Sequence, residues 1–251
     1  MKGKTTLCVM SYNIRHGEGN DNVIDLERIA AVIDKAGADL VGLNEVDIKT
    51  ARSSGIDQPG TLAKLLGMQV AYGANLVYQG GDYGNAILSR YPIVKSANTP
   101  LPAGGRYRWG LLHVEVDVHG RILHFLTTHL ALTAEERRPQ LERIKEYLQS
   151  LPGPLVVVGD FNIIAEKDED LATFMLPLRD AWLYSLTRDG VDPAAKREQG
   201  YTFPSSKPDR RIDYIFISGR VDLAGTGAVF AVDSDASDHR ALVARLVLLP
   251  I

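Results

Sequence analysis

The sequence predicts an α/β fold built from many short strands and a few helices. Short apolar runs rich in Val, Ile and Leu recur along the chain and end in turn-forming residues. Stretches with helical spacing of apolar residues are fewer and lie between these runs. No linker, repeat or low-complexity segment divides the 251 residues, so we expect one domain over residues 1–251.

The N-terminal strand and the first helix are marked by clear changes in composition. Residues 5–14 form a β-rich run, and residues 15–20 have the Gly, Asn and charged composition of a loop. Residues 26–33 then place apolar side chains at helical spacing. Asp25 precedes this stretch and Gly37 follows it, as expected of the residues that cap a helix.

A second strand and a second helix follow. Residues 40–43 form a short apolar strand that is expected to place Glu45 just beyond its C-terminal end. Residues 58–66 are predicted to be helical and to stop at Gly67. Several strand-like segments, separated by Gly and Pro, then occupy residues 70–118.

A hairpin and a third helix are predicted in the middle of the chain. Residues 111–118 and 121–130 pair naturally, because His119-Gly120 supplies a turn between them. Residues 133–136 have the form of a capping box and introduce a helix. Pro139 lies inside that helix, so a kink or a restarted first turn is expected there.

The C-terminal part returns to strands. Residues 155–158 form a fully apolar strand that ends at Asp160, and residues 164–200 are polar and irregular. The remaining strand-like segments are residues 212–218, 229–232 and 241–249.

Composition excludes several classes of protein. The net charge of −3 gives no general attraction to nucleic acid, and the single cysteine, Cys8, excludes intramolecular disulfides and cysteine zinc clusters. No apolar stretch approaches the roughly 20 residues of a membrane-spanning helix. The apolar segment near the N-terminus is interrupted by Ser11-Tyr12-Asn13, which makes a poor signal peptide. A cytoplasmic location is therefore expected.

Polar side chains recur where apolar strands end, and active sites built on a sheet place their functional groups there. These residues are Asn13, Glu45, His129, Asp160 with Asn162, and Asp238 with His239. Carboxylate and amide oxygens suit hard cations such as Mg²⁺ or Mn²⁺. Two histidines with several carboxylates and no thiolate favour hydrolysis over redox chemistry.

Each of these residues alone has an ordinary structural explanation. Gly159 to Asn162 has the composition of a turn, and Glu45 alone would be an ordinary surface carboxylate. Asp213 could simply pair with Arg210 or Arg211. Their joint occurrence in this order is what favours a functional site.

Seven segments carry a family resemblance, and they run from the first strand almost to the last. They are Ser11-Tyr12-Asn13-Ile14-Arg15, Gly42-Leu43-Asn44-Glu45-Val46, Tyr83-Gly84-Asn85-Ala86-Ile87-Leu88-Ser89-Arg90, Thr127-Thr128-His129-Leu130, Val158-Gly159-Asp160-Phe161-Asn162, Arg211-Ile212-Asp213-Tyr214-Ile215 and Ser237-Asp238-His239. In this order they resemble the endonuclease/exonuclease/phosphatase superfamily, which includes deoxyribonuclease I, exonuclease III-type abasic-site endonucleases, inositol polyphosphate 5-phosphatases, neutral sphingomyelinases and tyrosyl-DNA phosphodiesterase 2.

The resemblance implies a four-layer αββα sandwich, with two mixed β-sheets flanked by helices, and a divalent-metal-dependent phosphoester hydrolase. Asn13, Glu45 and Asp238 match its metal-site positions, with Glu45 as the principal ligand and Mg²⁺ or Mn²⁺ as the cofactor. A phosphodiester is the expected substrate.

The resemblance also implies catalytic roles. Asp160 and Asn162 match the pair that orients the attacking water and the phosphate, with Asp160 as the general base. His239 matches a phosphate-polarising histidine oriented by Asp213, and His129 matches a histidine that steadies charge on the phosphoryl oxygens. A carboxylate beside an imidazole fixes its tautomer and supports its cationic form.

Further residues are candidates for contacts to the substrate. The segment from Gly105 to Gly110 offers arginines that could grip phosphate and aromatic rings that could stack, although aromatic packing at a strand start explains it equally well. The candidates are Arg52, Asn85, Arg106, Tyr107, Arg108 and Trp109.

The sequence leaves the substrate open. The alternatives are a repair nuclease of the abasic-site or 5′-tyrosyl-DNA type, and a hydrolase of sphingomyelin or inositol-phosphate headgroups. The expected partner is a phosphoester substrate, as a small molecule, a nucleic-acid end or a lipid headgroup, and no obligate protein partner is evident. A binding module that has lost catalysis is a remote alternative, because no motif position is missing.

Overall fold

Two β-sheets form the centre of the molecule. The computed structural model describes residues 5–105, 108–164, 171 and 175–250. Within them the strands are β1 (Thr5–Asn13), β2 (Leu40–Ile48), β3 (Gln69–Tyr78), β4 (Gly81–Ser89), β5 (Ile93–Leu101), β6 (Trp109–Asp117), β7 (Ile122–His129), β8 (Leu155–Asp160), β9 (Arg179–Asp180), β10 (Asp213–Ile217), β11 (Val221–Leu223), β12 (Val229–Val232) and β13 (Ala241–Leu248).

Both sheets are mixed. The first has the strand order β11-β13-β1-β2-β4-β3, with β12 also paired to β13, and the second has the order β5-β6-β7-β8-β10-β9. The parallel pairs are β1 with β2 and β7 with β8, while the other pairs are antiparallel.

Three α-helices cover the outer faces of the two sheets, and a fourth lies against the core between them. They are α1 (Leu26–Ala36), α2 (Gln58–Leu66), α3 (Ala134–Gln149) and α4 (Ala181–Arg188). Helices α1 and α2 pack on the first sheet, and α3 packs on the second. The inner faces meet in a core of aliphatic side chains, and α4 contributes to that core beside β10. The predicted αββα sandwich is confirmed.

Local signals placed the helix ends accurately. The Asp25 carboxylate accepts hydrogen bonds from the first turn of α1, and Gly37 ends that helix with φ +66°. The Thr133 side chain caps α3 as predicted, and the structure assigns one helix that continues through Pro139. His119 and Gly120, with φ +55° and +80°, form the predicted turn between β6 and β7.

Strand β2 corrects one expectation. The apolar run of residues 40–43 predicts a strand that ends before Glu45, but β2 continues to Ile48. Its pairing with β4 shifts between Leu43 and Val46, so β2 contains a β-bulge. Glu45 therefore lies inside a strand, at the bulge, and not beyond its end.

The two sheets approach each other closely at Gly42 of β2. A Cβ atom there would lie 2.2 Å from Val158 Cγ2 and 2.8 Å from Thr127 Oγ1, both on the opposite sheet. Only glycine fits this contact without a shift of its neighbours.

Among the helices of the described residues, none combines the length and the hydropathy needed to cross a membrane.

Candidate active site

Three of the candidate side chains lie in one row across the second sheet. His129 of β7 is in register with Asp160 of β8, which is in register with Asp213 of β10. Alternate residues of a strand face the same side, and Val158 and Ile215, two positions before Asp160 and two after Asp213, belong to the core between the sheets. The row therefore faces inward, at one end of the sandwich.

The first sheet contributes a matching row. Asn13 at the end of β1 is in register with Asn44 of β2. The Asn44 side chain crosses to the other sheet, where its Oδ1 accepts from the Asp160 backbone N–H at 3.0 Å and its Nδ2 donates to the Thr128 carbonyl at 3.0 Å. Asn44 is fully buried, so these bonds are shielded from water and join the two halves of the site.

The β-bulge explains how Glu45 reaches the site. In a regular strand Glu45 would face the same way as Leu43, toward the helices. The bulge sets both Asn44 and Glu45 opposite a single residue of β4, and Glu45 takes a left-handed backbone with φ +57°. Its carboxylate is then within reach of Asn13, whose Nδ2 donates to Glu45 Oε1 at 3.0 Å. Backbone strain of this kind is typical of functional positions.

Asn13 connects the two sheets through its amide. The same Nδ2 donates to Asp160 Oδ2 at 3.1 Å, while Asn13 Oδ1 accepts from the Arg15 backbone N–H at 3.0 Å. The Arg15 hydrogen bond fixes the amide orientation, so Asn13 presents its nitrogen to the carboxylates. In this orientation it holds Glu45 and Asp160 in place, and it would have to turn over to offer its oxygen to a cation.

His239 lies between two carboxylates. Its Nδ1 is 2.9 Å from Asp213 Oδ2, and its Nε2 is 3.7 Å from Asp160 Oδ2. Burial lowers the pKa of His239, but Asp213, Asp160 and Asp238 outweigh that effect and raise it to about 10. At neutral pH the imidazole is therefore protonated and cationic.

His129 and Asn162 lie on the other side of Asp160. Asn162 Nδ2 is 3.1 Å from His129 Nε2 and donates to the Leu130 carbonyl at 2.8 Å. The Asn162 backbone N–H donates to Asp160 Oδ1 at 2.9 Å, and His129 Nε2 is 3.5 Å from Asp160 Oδ2. Asp160 is thus the centre of the cluster and contacts groups from both sheets.

The donor set at this end of the sandwich fits a hard divalent cation. Glu45, Asp160 and Asp238 all line one cavity. Burial raises the pKa of Asp238, and the nearby charge of Glu45 adds to that rise while His239 opposes it. Close carboxylates that repel one another in this way are the oxygen ligands that Mg²⁺ or Mn²⁺ prefers.

A second grouping of possible ligands is better explained as an ion pair. Asp160, Asp213 and His239 each place one ligand atom within 4.8 Å of the others. Both ring nitrogens of His239 face carboxylates, however, and its raised pKa keeps the ring protonated. We assign His239 and Asp213 to a hydrogen-bonded ion pair, with Asp160 as a second carboxylate 3.7 Å from the other ring nitrogen.

The cavity above these residues has a volume of about 610 Å³, and five apolar residues belong to its lining. We call these five residues together the apolar wall. It is formed by Trp109, Leu132, Ile164, Phe203 and Ile212. Leu132 is 74% exposed although it is apolar, and Phe203 packs against the His239 ring with 4.7 Å between centroids.

The substrate-contact candidates are in different places. Arg108 and Trp109 line the cavity, and the Trp109 ring meets His129 edge-on at 5.1 Å between centroids. Asn85 is buried behind the site, where its amide bonds to Asn44 and to the Gly110 carbonyl. Arg52 lies beside a separate, smaller cavity. Arg106 and Tyr107 lie outside the described residues.

Sequence reasoning missed several residues of the site. Asn44 directly follows the apolar run of residues 40–43 and precedes Glu45, which was the available signal. Tyr83 belongs to one of the seven motif segments but was not singled out as a site residue. Most of the apolar wall gave no signal, because apolar and aromatic residues ordinarily fill the core.

Comparison with known proteins agrees with this geometry. The chain is 31% identical over 194 residues to the uncharacterized protein YbhP of Escherichia coli (strain K12), covering 74% of this chain and 72% of that protein. The crystal structure of an endonuclease/exonuclease/phosphatase from Beutenbergia cavernae DSM 12333 is similar, with 28% identity, a TM-score of 0.73, and coverage of 97% of this chain and 72% of that one.

A structure of humanized D. rerio TDP2 shares the fold with a TM-score of 0.72 at 20% identity, covering 96% of this chain and 98% of that one. The sequence also matches the endonuclease/exonuclease/phosphatase family over residues 10–239, which include every candidate catalytic and metal-site residue. The chain belongs to this family, and membership supports a metal-dependent phosphoesterase or nuclease in general terms.

Proposed function

We propose that the chain hydrolyses phosphodiesters with the help of a divalent cation and an activated water. One observation carries this proposal: Asp160 of the second sheet is joined to Glu45 of the first through the Asn13 amide, with hydrogen bonds of 3.0 and 3.1 Å. Carboxylates from both sheets and the cationic His239 thereby converge on one cavity. Hydrolysis of a phosphodiester needs this combination of a base and positive charge near the phosphoryl oxygens.

Asp160 is the proposed general base. Its carboxylate lines the cavity and is held from both sides, by the Asn13 amide and by the Asn162 backbone N–H. A base fixed in this way takes a proton from a water at a constant position. The Asn162 side chain, beside His129, is proposed to orient that water and the phosphate.

His239 and His129 are proposed to contact the phosphoryl oxygens. His239 is cationic, and Asp213 holds its Nδ1, so Nε2 is the nitrogen directed toward Asp160 and the cavity. A cation placed in advance stabilises the negative charge that develops on phosphate. His129 supports the opposite side through its contact with Asn162.

Glu45 and Asp238 are the proposed carboxylate ligands of Mg²⁺ or Mn²⁺, with Asn13 orienting Glu45. A bound divalent cation would supply Lewis-acid charge at a phosphoryl oxygen. The Arg15 guanidinium lies near Asp238, with 3.8 Å between Arg15 Nε and Asp238 Oδ2. The same guanidinium also pairs with Glu18, whose Oε1 is 3.0 Å from Arg15 Nη2.

The apolar wall supports a substrate with an apolar or aromatic group next to its phosphate. Trp109, Phe203 and Ile212 give such a group a surface to cover, and Arg108 and Arg210 also line the cavity. This favours an ester with a sizeable organic substituent over inorganic or very polar phosphates.

Metal-dependent hydrolysis of bis-p-nitrophenyl phosphate tests the proposal. We expect turnover that needs Mg²⁺ or Mn²⁺ and that falls at least about a hundredfold in Asp160→Ala and in His239→Ala. Leu183→Ala, an exposed residue on α4 away from the cavity, is the matched control and should keep full activity. Wild-type protein without metal-stimulated turnover, or full activity in both site variants, would refute the proposal.

A substrate screen then separates the alternatives. The same preparation is offered abasic DNA, single-stranded DNA, 5′-tyrosyl DNA, sphingomyelin and inositol polyphosphates at equal concentration. Because the apolar wall faces the reacting phosphate, we expect higher kcat/KM for substrates with an apolar or aromatic group at that position than for inositol polyphosphates.

A further inference from the structure

A second cavity lies next to the active-site cavity along the first sheet. It is lined by Arg52, Leu76, Tyr78 and Tyr83, has a volume of about 210 Å³, and is called here the tyrosine pocket. Tyr83 also lines the active-site cavity, so one side chain forms a wall of both spaces. The tyrosine pocket therefore adjoins the active-site cavity at Tyr83.

Strand register explains why these side chains gather there. Tyr83 of β4 is opposite Asp47 of β2 on one side and opposite Leu76 of β3 on the other. Residues directly opposite in antiparallel strands face the same side of a sheet. Ile87, four residues along β4 from Tyr83, belongs to the core between the sheets, so this row lies on the inner face.

Arg52 is locked in this pocket by a buried carboxylate. Its Nε and Nη2 each donate to Asp47 at 2.8 Å, and Asp47 also accepts from the Thr50 hydroxyl. The guanidinium carbon lies 4.7 Å from the centre of the Tyr78 ring and 5.4 Å from that of Tyr83. The result is a closely packed group of one guanidinium and two phenol rings.

The chemistry of this group selects a planar ligand. Asp47 neutralises the charge of Arg52, so the pocket has little net attraction for a free anion. Its lining consists of Arg52, the phenol rings of Tyr78 and Tyr83, and the apolar side chain of Leu76. Aromatic side chains and arginine planes are the surfaces on which heterocyclic rings stack.

The two ends of the cleft lie on opposite sides of Asp160. Phe203 and Ile212 adjoin β10, at one side of β8 in the second sheet, while Trp109 begins β6 at the other side. Tyr83 belongs to β4, which packs against β6 and β7, so it lies at this second side, next to the tyrosine pocket. A phosphate beside Asp160 would therefore have a surface for an organic substituent in each direction.

We infer that the tyrosine pocket is a second substrate subsite, which takes a planar ring on the other ester arm of the phosphodiester. This inference rests on the proposed function, and it deepens it: the preferred substrate is a diester with a sizeable group on both sides of the phosphate. A phosphomonoester fills only one side of the cleft.

Three diesters with the same p-nitrophenyl leaving group test the inference. Their other substituent is methyl, phenyl or a 5′-linked thymidine, and kcat/KM is measured for each with Mg²⁺ or Mn²⁺ present. The methyl ester carries one ring only, so it leaves one end of the cleft empty whichever way it binds. We expect the wild type to prefer the phenyl and thymidine esters.

Tyr78→Leu removes the ring that forms one face of the pocket. We expect the ratio of kcat/KM for ring esters to that for the methyl ester to fall by about fivefold to a hundredfold, the range for loss of one base-stacking contact. Tyr78→Phe keeps the ring and should keep the ratio. Val77→Ala is the matched control, because Val77 is the neighbouring residue of β3 and is 77% exposed.

Results that overturn the subsite can be distinguished from results that overturn the proposed function. An unchanged ratio in Tyr78→Leu, with the methyl ester still hydrolysed, overturns the subsite and leaves the proposed hydrolase intact. An equal loss for all three esters, in Tyr78→Leu and in Leu76→Ala, also overturns it. Equal preference for phenyl and thymidine supports a site for any planar ring, and a higher rate with thymidine supports a nucleobase site. A wild type without any metal-stimulated turnover refutes both proposals.

Discussion

The protein contains two buried histidine clusters, one in the active-site cavity and one on the outer face of the second sheet. His239 of the cavity and His113 of β6 are equally buried, each 4% exposed. His239 contacts the carboxylates of Asp213 and Asp160. His113 instead contacts an imidazole and a phenol, with Nε2 3.0 Å from His124 Nδ1 and Nδ1 2.9 Å from the Tyr147 hydroxyl.

Equal burial has opposite electrostatic results in the two clusters. The pKa of His239 is raised to about 10 despite the opposing effect of burial, because three carboxylates surround it. Burial lowers the pKa of His113 to about 4, helped by His124 and Lys95 and opposed by Glu115. The comparison teaches that burial alone makes a histidine neutral, whereas buried carboxylates make it a fixed cation. The fixed cation is the feature that distinguishes the active-site cavity from the outer cluster.

Asp213→Asn should remove most of the difference in pKa between His239 and His113. Without this carboxylate the His239 ring loses the charge that holds it protonated and the partner that fixes its orientation. We expect kcat on bis-p-nitrophenyl phosphate to fall about a hundredfold or more, and the pKa of His239 to move down toward that of His113. Turnover at neutral pH and NMR titration of the imidazole measure the two effects. Unchanged kcat with a His239 pKa still near 10 would contradict the assignment.

His239→Asn should change how stability depends on alkaline pH. The pKa of His239 is about 10 in the folded protein, against about 6.5 for an ordinary histidine. Its contribution to stability is therefore fully present below about pH 6.5 and is lost as the pH rises toward 10. Urea unfolding at pH 6 and pH 9.5 should show the wild type losing at least about 1 kcal/mol relative to the variant. An equal change in the free energy of unfolding between pH 6 and pH 9.5 in the two proteins would contradict this prediction.

His113→Asn should show the opposite pH dependence. The folded-state pKa of His113 is about 4 and lies below the unfolded value, so its contribution is fully present above about pH 6.5 and is lost as the pH falls toward 4. We expect the wild type to lose stability more steeply than the variant between pH 6.5 and 4.5, measured by urea unfolding. Carboxylates titrate in both proteins and cancel in the difference. Hydrolysis at neutral pH should remain within about threefold of the wild type, because ordinary changes away from a site have small effects.

Tyr147→Phe gives the smallest expected effect. It removes the hydroxyl that contacts His113 and leaves the aromatic ring of residue 147 in place. We expect a loss of about 1 kcal/mol in the free energy of unfolding and unchanged turnover. Thermal unfolding and the bis-p-nitrophenyl phosphate assay check both. A large loss of turnover would show that the outer cluster is coupled to the active site.

Features set by neighbouring residues were predictable from the sequence. The caps of α1 and α3 lie within four residues of the helix ends they stabilise, so Asp25, Gly37 and Thr133 located those ends correctly. The order of the polar strand ends also indicated the family, and the family indicated the αββα sandwich. The side chains of His129, Asp160 and Asp213 then fell into one row through strand register.

Features set by contacts between distant strands were not predictable. The bulge that turns Glu45 inward depends on how β2 pairs with β4, and a short apolar run contains no sign of it. Asn85 belongs to one of the motif segments, but its side chain lies behind the site. Its amide is hydrogen-bonded there to Asn44 and to the Gly110 carbonyl. Arg52 was singled out for its charge, yet the structure shows that charge to be neutralised by Asp47.

Gly42 has a consequence for how the active site keeps its dimensions. Half of the site is attached to each sheet, so any change in the spacing of the sheets changes the distance from Glu45 to Asp160. At Gly42 that spacing is limited by a hydrogen atom, because a methyl group would overlap Val158 and Thr127. The geometry of the site therefore depends on the close spacing of the two sheets at Gly42. A side chain at Gly42 would push β2 away from Val158 and Thr127, and would thereby lengthen the distance between the two halves of the candidate site.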